Sequence, residues 1–422
     1  MGMFEFKAGE ISLTRNEDIW SQTIRDTVLV SAYPLAAWMA SSWWRLFYEP
    51  LPPTGIKPSI DWRMAHELSA SNQGFIWPKI ILASDTEVMQ VWSMTSHMAD
   101  CQSVRYINSL DRPFAVNLLE FEQIAKAFIE SVICRLEATG ITNTALSNLW
   151  QEVQEELDDV YSRQYRRYEA VLGFDPDECP ENVIHDAINL SEQIGDTTFL
   201  ELAPALSKAT SEGKSLKSTL DDLLHDTGID GQVEVSIDGS DSQRLLRAPW
   251  QRAVKVASLL RSEIDIGEKP ITDQKLYDLI GLNSSNHESS FPKTRRNFSI
   301  AIPLEEGRLK FHPRKRHQLS RRFEMARFLG DYLLYGKCGS SWLTNTDLRT
   351  SRQKYQRAFA AEFLCPVNSL KAYLENDYSE SAIDDAAEYF QVSSQTVESI
   401  LANNGLITPV YASSYIETRI PY

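Results

Sequence analysis

What is scarce in this chain narrows its reading first. Only seven His and five Cys occur in 422 residues. The cysteines, Cys101, Cys134, Cys179, Cys338 and Cys365, are scattered with no Cys-x-x-Cys spacing. An odd, dispersed set fits neither a disulfide framework nor a zinc ribbon, so reduced thiols and a cytoplasmic setting are expected. The opening residues, MGMFEFKAGEIS, lack a basic stretch followed by an apolar run, so no signal peptide is read there. Phe6 stands where a myristoylation signal needs Ser or Thr. The most apolar early stretch, Thr27 to Met39, contains Pro34 and is too short to span a bilayer, so no membrane partner is expected. Repeats and low-complexity tracts are also missing. A formal charge of −16 disfavours non-specific attraction to nucleic acid or anionic lipid.

What is present suits an ordinary globular chain of two or three domains, with 43% apolar and 24% charged residues. Ten Trp is rich usage, and five of them (Trp20, Trp38, Trp43, Trp44, Trp62) precede residue 65, which predicts an aromatic core in the first domain. Lys79–Ala83 and Val88–Trp92 flank Ser84-Asp85-Thr86 and read as a β-hairpin. From Asn117 the pattern turns helical: Leu118, Phe121, Ile124, Ala125, Phe128, Ile129, Val132 and Leu136 form one stripe, with Gly140 closing it. Asn143-Thr144-Ala145 opens a helix expected to run to Leu172-Gly173. Its other face carries Glu152, Glu155, Glu156, Asp158 and Asp159; with no Glu-x-x-His partner, this reads as a solvated acidic face rather than a di-metal site.

The predicted fold class is α+β: a mainly helical, multi-domain chain with a small antiparallel sheet near its C-terminal end. An aromatic-rich domain with the hairpin spans 1–115 and a helical domain 116–212. A transition follows over 213–247, with a short strand at Gln232–Ile237 and the main boundary inside it. Residues 248–375 read as helices at Trp250–Leu260 and Ile271–Ile280, a hairpin at Asn297–Leu304 and Arg308–Phe311, then helices at Ser320–Tyr335 and Ser351–Phe363. A small helical segment, 376–422, completes the chain.

Two stretches carry a resemblance: Arg322-Phe323-Glu324-Met325-Ala326-Arg327-Phe328-Leu329-Gly330-Asp331-Tyr332-Leu333-Leu334 and Phe359-Ala360-Ala361-Glu362-Phe363-Leu364-Cys365-Pro366. Together they resemble the ImmA/IrrE family of zinc metallopeptidases over about 250–407. The resemblance implies a zincin-like domain. In that family two His at i and i+4 of one helix bind zinc beside a general-base Glu, and a Glu on the following helix completes the site. Here the first His position is Arg327, the base position Phe328, the second His position Asp331 and the third-ligand position Gln353. A guanidinium stays protonated and cannot ligate zinc, and Phe cannot take a proton from water. No catalytic residue, metal or cofactor is therefore expected. His66-Glu67 copies the start of the motif but lacks the second His, since position 70 is Ala70.

Arg327 and Asp331, at i and i+4, are expected to pair in the vacated cavity. The pair reads either as a structural salt bridge or, with Arg349, Arg352, Lys354 and Arg357 nearby, as a cleft for a phosphate or carboxylate. A second basic group, Arg314, Lys315, Arg316, Arg321 and Arg322, leads into the same helix. Lys293 to Arg357 holds sixteen Lys/Arg against five Asp/Glu, which offers a face for an acidic partner. Ile383–Ser393 and Thr396–Leu401 resemble a helix-turn-helix whose second helix lacks Lys and Arg, so it reads as structural support. The resemblance implies a regulator that binds a protein partner, repressor-like or the product of a neighbouring gene, without cutting it. The rivals are a nucleic-acid binder using the basic 293–357 face, and an enzyme with atypical ligands or an unrecognised mechanism built on Asp331, Glu324 or Glu362.

Overall fold

A computed structural model describes residues 1–53, 55–96, 102–210, 215–225, 228–235, 248–282, 296–336 and 342–408. Cys101, Lys293, Arg295, Lys337 and Cys338, the far end of the strand expected at 232–237, and the last part of the 376–422 segment lie outside them. The chain is α+β and mainly helical, with sixteen α-helices and small antiparallel sheets among the described residues. It divides into two compact units inside one helix, between Ile184 and His185, earlier than the boundary read from sequence.

The first unit begins with short strands β1 (Gly2–Phe4), β2 (Lys7–Ala8), β3 (Ile11–Ser12), β4 (Asn16–Asp18), β5 (Thr23–Arg25) and β6 (Val28–Val30). Helices α1 (Ala32–Ser41), α2 (Trp43–Tyr48) and α3 (Ile60–His66) follow. The expected hairpin is β7 (Lys79–Ser84) and β8 (Val88–Met94); after β9 (Val104–Tyr106), β10 (Phe114–Asn117) joins β8 to give the order β10-β8-β7. Helix α4 (Leu118–Ala138) starts where the Asn117 side chain accepts the Leu119 and Glu120 N–H groups. The long helix expected next is two, α5 (Ala145–Asp158) and α6 (Val160–Leu172). Asp159 leaves helical geometry at ψ 125° and its carboxylate accepts the Ser162 N–H at 2.7 Å, capping a new helix.

Four of the five early tryptophans are buried; Trp20, at 86% exposure, is not. Trp43 meets Trp150 edge-on at 5.0 Å, and Phe47 meets Phe121 at 5.9 Å. Helices α4 and α5 thus share one core with α1 and α2, and no boundary falls at 115/116. His66 stacks on Trp62 at 4.0 Å and faces Glu49 and the Leu82 carbonyl, while Glu67 pairs with Arg63. Their polar ends serve separate partners, which is packing rather than a metal site.

Helix α7 (Glu181–Ile194) runs into the second unit, followed by α8 (Asp196–Thr210) and α9 (Leu216–Leu224). Strand β11 (Ile229–Gln232) lies inside the stretch read as a transition, yet it pairs with β13 in the C-terminal sheet. Next come α10 (Pro249–Glu263), α11 (Asp273–Leu279), β12 (Ser299–Pro303), β13 (Arg308–His312), α12 (Gln318–Tyr335), β14 (Leu343–Asn345) and α13 (Ser351–Leu364). The sheet order is β11-β13-β12-β14, antiparallel throughout. Helices α14 (Val367–Leu374), α15 (Glu380–Phe390) and α16 (Ser394–Asn403) add to the same core through Leu370, Ile383, Phe390, Val397 and Leu401. The last two are the helix-turn-helix pair, and they are not a separate domain. No helix of the described residues is long and apolar enough to cross a membrane.

Candidate functional site

Helix α12 presents Arg327 and Asp331 inward, Arg327 at 5% exposure and Asp331 fully buried. A buried carboxylate needs donors, and the expected donor one turn away is not the one used. Asp331 is held by Arg352 from α13, which donates from Nε to Oδ1 at 2.8 Å and from Nη2 to Oδ2 at 2.7 Å. The Thr344 N–H adds a third bond at 3.1 Å. Arg352 also lies 4.5 Å from the Tyr335 ring centroid. Burial opposes its charge, and the Asp331 carboxylate outweighs burial, so the guanidinium is held above its ordinary range.

Among the described residues Arg327 has only neutral acceptors. Its Nη2 donates to Gln353 Oε1 (2.5 Å), Thr346 O (2.8 Å) and Gln356 Oε1 (3.2 Å). Burial, then the charges of Arg357 and Arg314, push this guanidinium down to about 9. Gln353 faces both ways: Oε1 accepts from Arg327 and the Thr346 N–H, while Nε2 donates to Thr344 O and to Glu201 Oε2. A cation and an amide therefore meet where the resemblance puts a zinc ion and its third ligand. Phe328, at the general-base position, is buried edge-on against Phe311 at 5.4 Å.

Glu201, on α8, was not singled out from sequence. Its Oε2 accepts from Thr350 Oγ1 at 2.9 Å and from Gln353. The available signal was a lone carboxylate inside the apolar run Phe199-Leu200-Glu201-Leu202-Ala203. Gln356, three residues beyond Gln353 on the same face, was also missed; it donates to Thr344 O at 2.8 Å. Burial holds the Glu201 carboxyl above its ordinary 4.5; Arg352 and the Thr350 and Gln353 hydrogen bonds oppose this, and Asp331 adds to it. A carboxyl raised by folding contributes stability fully below its unfolded value and loses that contribution as pH rises through the raised value. Glu201→Gln, which cannot ionise, is therefore expected to raise the melting temperature at neutral pH. The gain should shrink as pH falls toward 4.5. Melts across that range check it, and a gain that does not vary with pH counts against it.

The other expected groups are placed as follows. Arg314 is buried and clasps Asp347 through both Nη atoms, at 2.7 and 2.6 Å. Arg322 is buried and bonded to Asp273 and the Ile271 carbonyl. Lys315 and Arg321 are half-buried, and only Arg316 of that set is exposed. The acidic-partner face is thus corrected: two of its five cations are structural, because a charge in the interior must be matched there. Arg349 and Arg357 are half-buried, and Arg357 donates to Leu348 O at 2.9 Å. The carboxylates of the atypical-enzyme reading are each tied to backbone N–H groups: Asp331 to Thr344, Glu324 to Arg314 and Lys315, and Glu362 to Val367. Among the described residues no group of three or more His, Cys, Asp or Glu could hold a metal. The acidic residues of α5 include Glu156, which accepts from Trp44 and Arg166.

Searches of protein-family models, curated proteins and solved structures return no match to this chain. The resemblance to the ImmA/IrrE family accordingly rests on the residues of α12 and α13.

Proposed function

We propose that the chain is a catalytically inactive relative of the ImmA/IrrE metallopeptidases that acts in a regulatory role by binding a protein partner, either repressor-like or the product of a neighbouring gene. The observation that supports this reading is the closed network at the four vacated positions. Arg327 and Gln353 bond to each other, Asp331 accepts from Arg352 and Thr344 on both oxygens, and Phe328 is core. A zincin needs three ligands and an open position for water. In this network the one remaining carboxylate ligand has both oxygens committed. A site so filled offers no open position for a metal-bound water, and recognition is the role this reading gives the domain.

Elemental analysis after dialysis against a weak chelator tests the first half, with well under one zinc per chain expected. One tightly held zinc per chain would overturn the reading. Co-elution with the purified product of the adjacent gene tests the second half, and separate elution at concentrations well above micromolar counts against that partner.

A further inference from the structure

Three consecutive residues after β14 each receive a different guanidinium. Arg327 donates to the Thr346 carbonyl at 2.8 Å, Arg314 to the Asp347 carboxylate at 2.7 and 2.6 Å, and Arg357 to the Leu348 carbonyl at 2.9 Å. Successive Cα atoms are only about 3.8 Å apart, so the three cationic groups are crowded together. Lys315 adjoins Arg314 in sequence and is half-buried. Two carboxylates lie against these four cations: Asp347, and Glu324, which lies 3.7 Å from Arg314 Nε; Glu201 and the further cation Arg349 also act on Arg357. Cations still outnumber carboxylates around this turn. Arg327 Nε is buried with no hydrogen-bond partner, and Arg357 meets a carbonyl rather than a carboxylate.

Uncompensated guanidinium groups in a poorly solvated place are costly, and their forked N–H groups match a tetrahedral oxyanion. The approach is open on one side: Arg357 and Lys315 are half-buried and the Asp347 side chain is 56% exposed. We propose that the cations around Thr346-Asp347-Leu348 form a binding site for a phosphate group, as the free dianion or as a phosphate monoester on a partner. A tetrahedral phosphate can meet several of these cations at once, which a single planar carboxylate cannot. The electrostatics agree. Burial and then neighbouring cations lower Arg327 to about 9, Arg357 is lowered to about 10 chiefly by burial, and Lys315 is lowered by burial and by Arg314. Asp347 is held down at about 2, because Arg314's hydrogen bonds and charge outweigh its burial. A bound dianion would offset the burial, and the lesser repulsion, that disfavour these charges. The site does not depend on descent from a peptidase, so its failure and the failure of that reading are separable.

The test is a thermal-shift and calorimetric titration of the full chain with inorganic phosphate, against chloride at equal ionic strength. A phosphoserine peptide and its unphosphorylated form make a second arm. A saturable stabilisation by phosphate beyond that of chloride is expected. It should weaken about tenfold or more in Arg357→Gln and in Lys315→Gln, each first shown by melting in chloride to be folded. Asp347→Asn should bind more tightly, since a competing carboxylate is removed; a structural ion pair gives no such gain. Tighter binding of the phosphoserine peptide than of inorganic phosphate assigns the ligand to a modified partner, and the reverse assigns it to the free ion. A phosphate response equal to that of chloride, or one untouched in both Gln variants, overturns the site.

Discussion

Asp331→Ala is expected to destabilise the C-terminal unit by about 3–5 kcal/mol, the usual result of leaving one member of a buried ion pair behind. The cost arises from Arg352. Its guanidinium is buried with Asp331 as its only carboxylate within ion-pair distance among the described residues. Removing Asp331 takes away both hydrogen bonds of the fork and leaves the Thr344 N–H without its acceptor. The paired control is Asp331→Leu with Arg352→Leu, which removes both charges together and is expected to recover most of the loss. Urea unfolding checks both variants. A loss from Asp331→Ala no larger than that from Asp385→Ala, at an exposed aspartate on α15, would rule out the buried pair.

Gly330→Ala is expected to destabilise the same unit although alanine is the better helix former. A Cβ at position 330 would lie 2.6 Å from Cδ1 and 2.7 Å from Cγ of Phe359. Phe359 cannot move aside freely, being fully buried and stacked on Phe363 at 5.4 Å. Overpacking of this kind costs about 1–3 kcal/mol. The gain in helix propensity is at most about 1 kcal/mol, so the clash dominates. Shortening the opposing ring, as in Gly330→Ala with Phe359→Leu, should restore part of the loss. A lower unfolding midpoint for the single variant and a partial return in the double variant are the expected readings. A single variant more stable than the parent would mean that α12 and α13 are not so closely packed.

Both residues belong to stretches that were legible before any coordinates. The helices expected from Asn117 and over 320–335, the hairpins expected at 79–92 and 297–311, and the helix start at Asn143-Thr144-Ala145 all form within about two residues of where the sequence puts them. These signals are local: a side chain meets its own backbone or a neighbour three or four residues away. The break at Asp159 was missed because Val153, Leu157 and Tyr161 keep a four-residue spacing across it, while one carboxylate captures the Ser162 N–H and restarts the helix. Trp20 went wrong for the opposite reason, since composition places a residue in a core without saying which way it points; it sits in the turn joining β4 and β5.

The domain plan fared worse than the elements, because a boundary is set by which surfaces bury each other. Residues 116–184 share the aromatic core of the first unit, 185–210 belong with the second, and β11 completes a sheet whose other strands lie far along the chain. The pairing of Arg327 and Asp331 shows the same limit at the scale of single side chains. Helical spacing makes Arg327 and Asp331 neighbours, but it cannot rank that pair against a partner from elsewhere. The sequence by itself determined most of the helices, the two hairpins, and that Arg327, Phe328, Asp331 and Gln353 cannot together hold a zinc ion, because each depends on side-chain chemistry and on spacing within one element. Only the tertiary structure decided that Asp331 pairs with Arg352, that Arg327 turns to Gln353, and that Glu201 closes the network. A buried charge selects the best-aligned donor or acceptor that folding brings within hydrogen-bond reach, and that choice is fixed by the packing of α8, α12 and α13 rather than by distance along the chain.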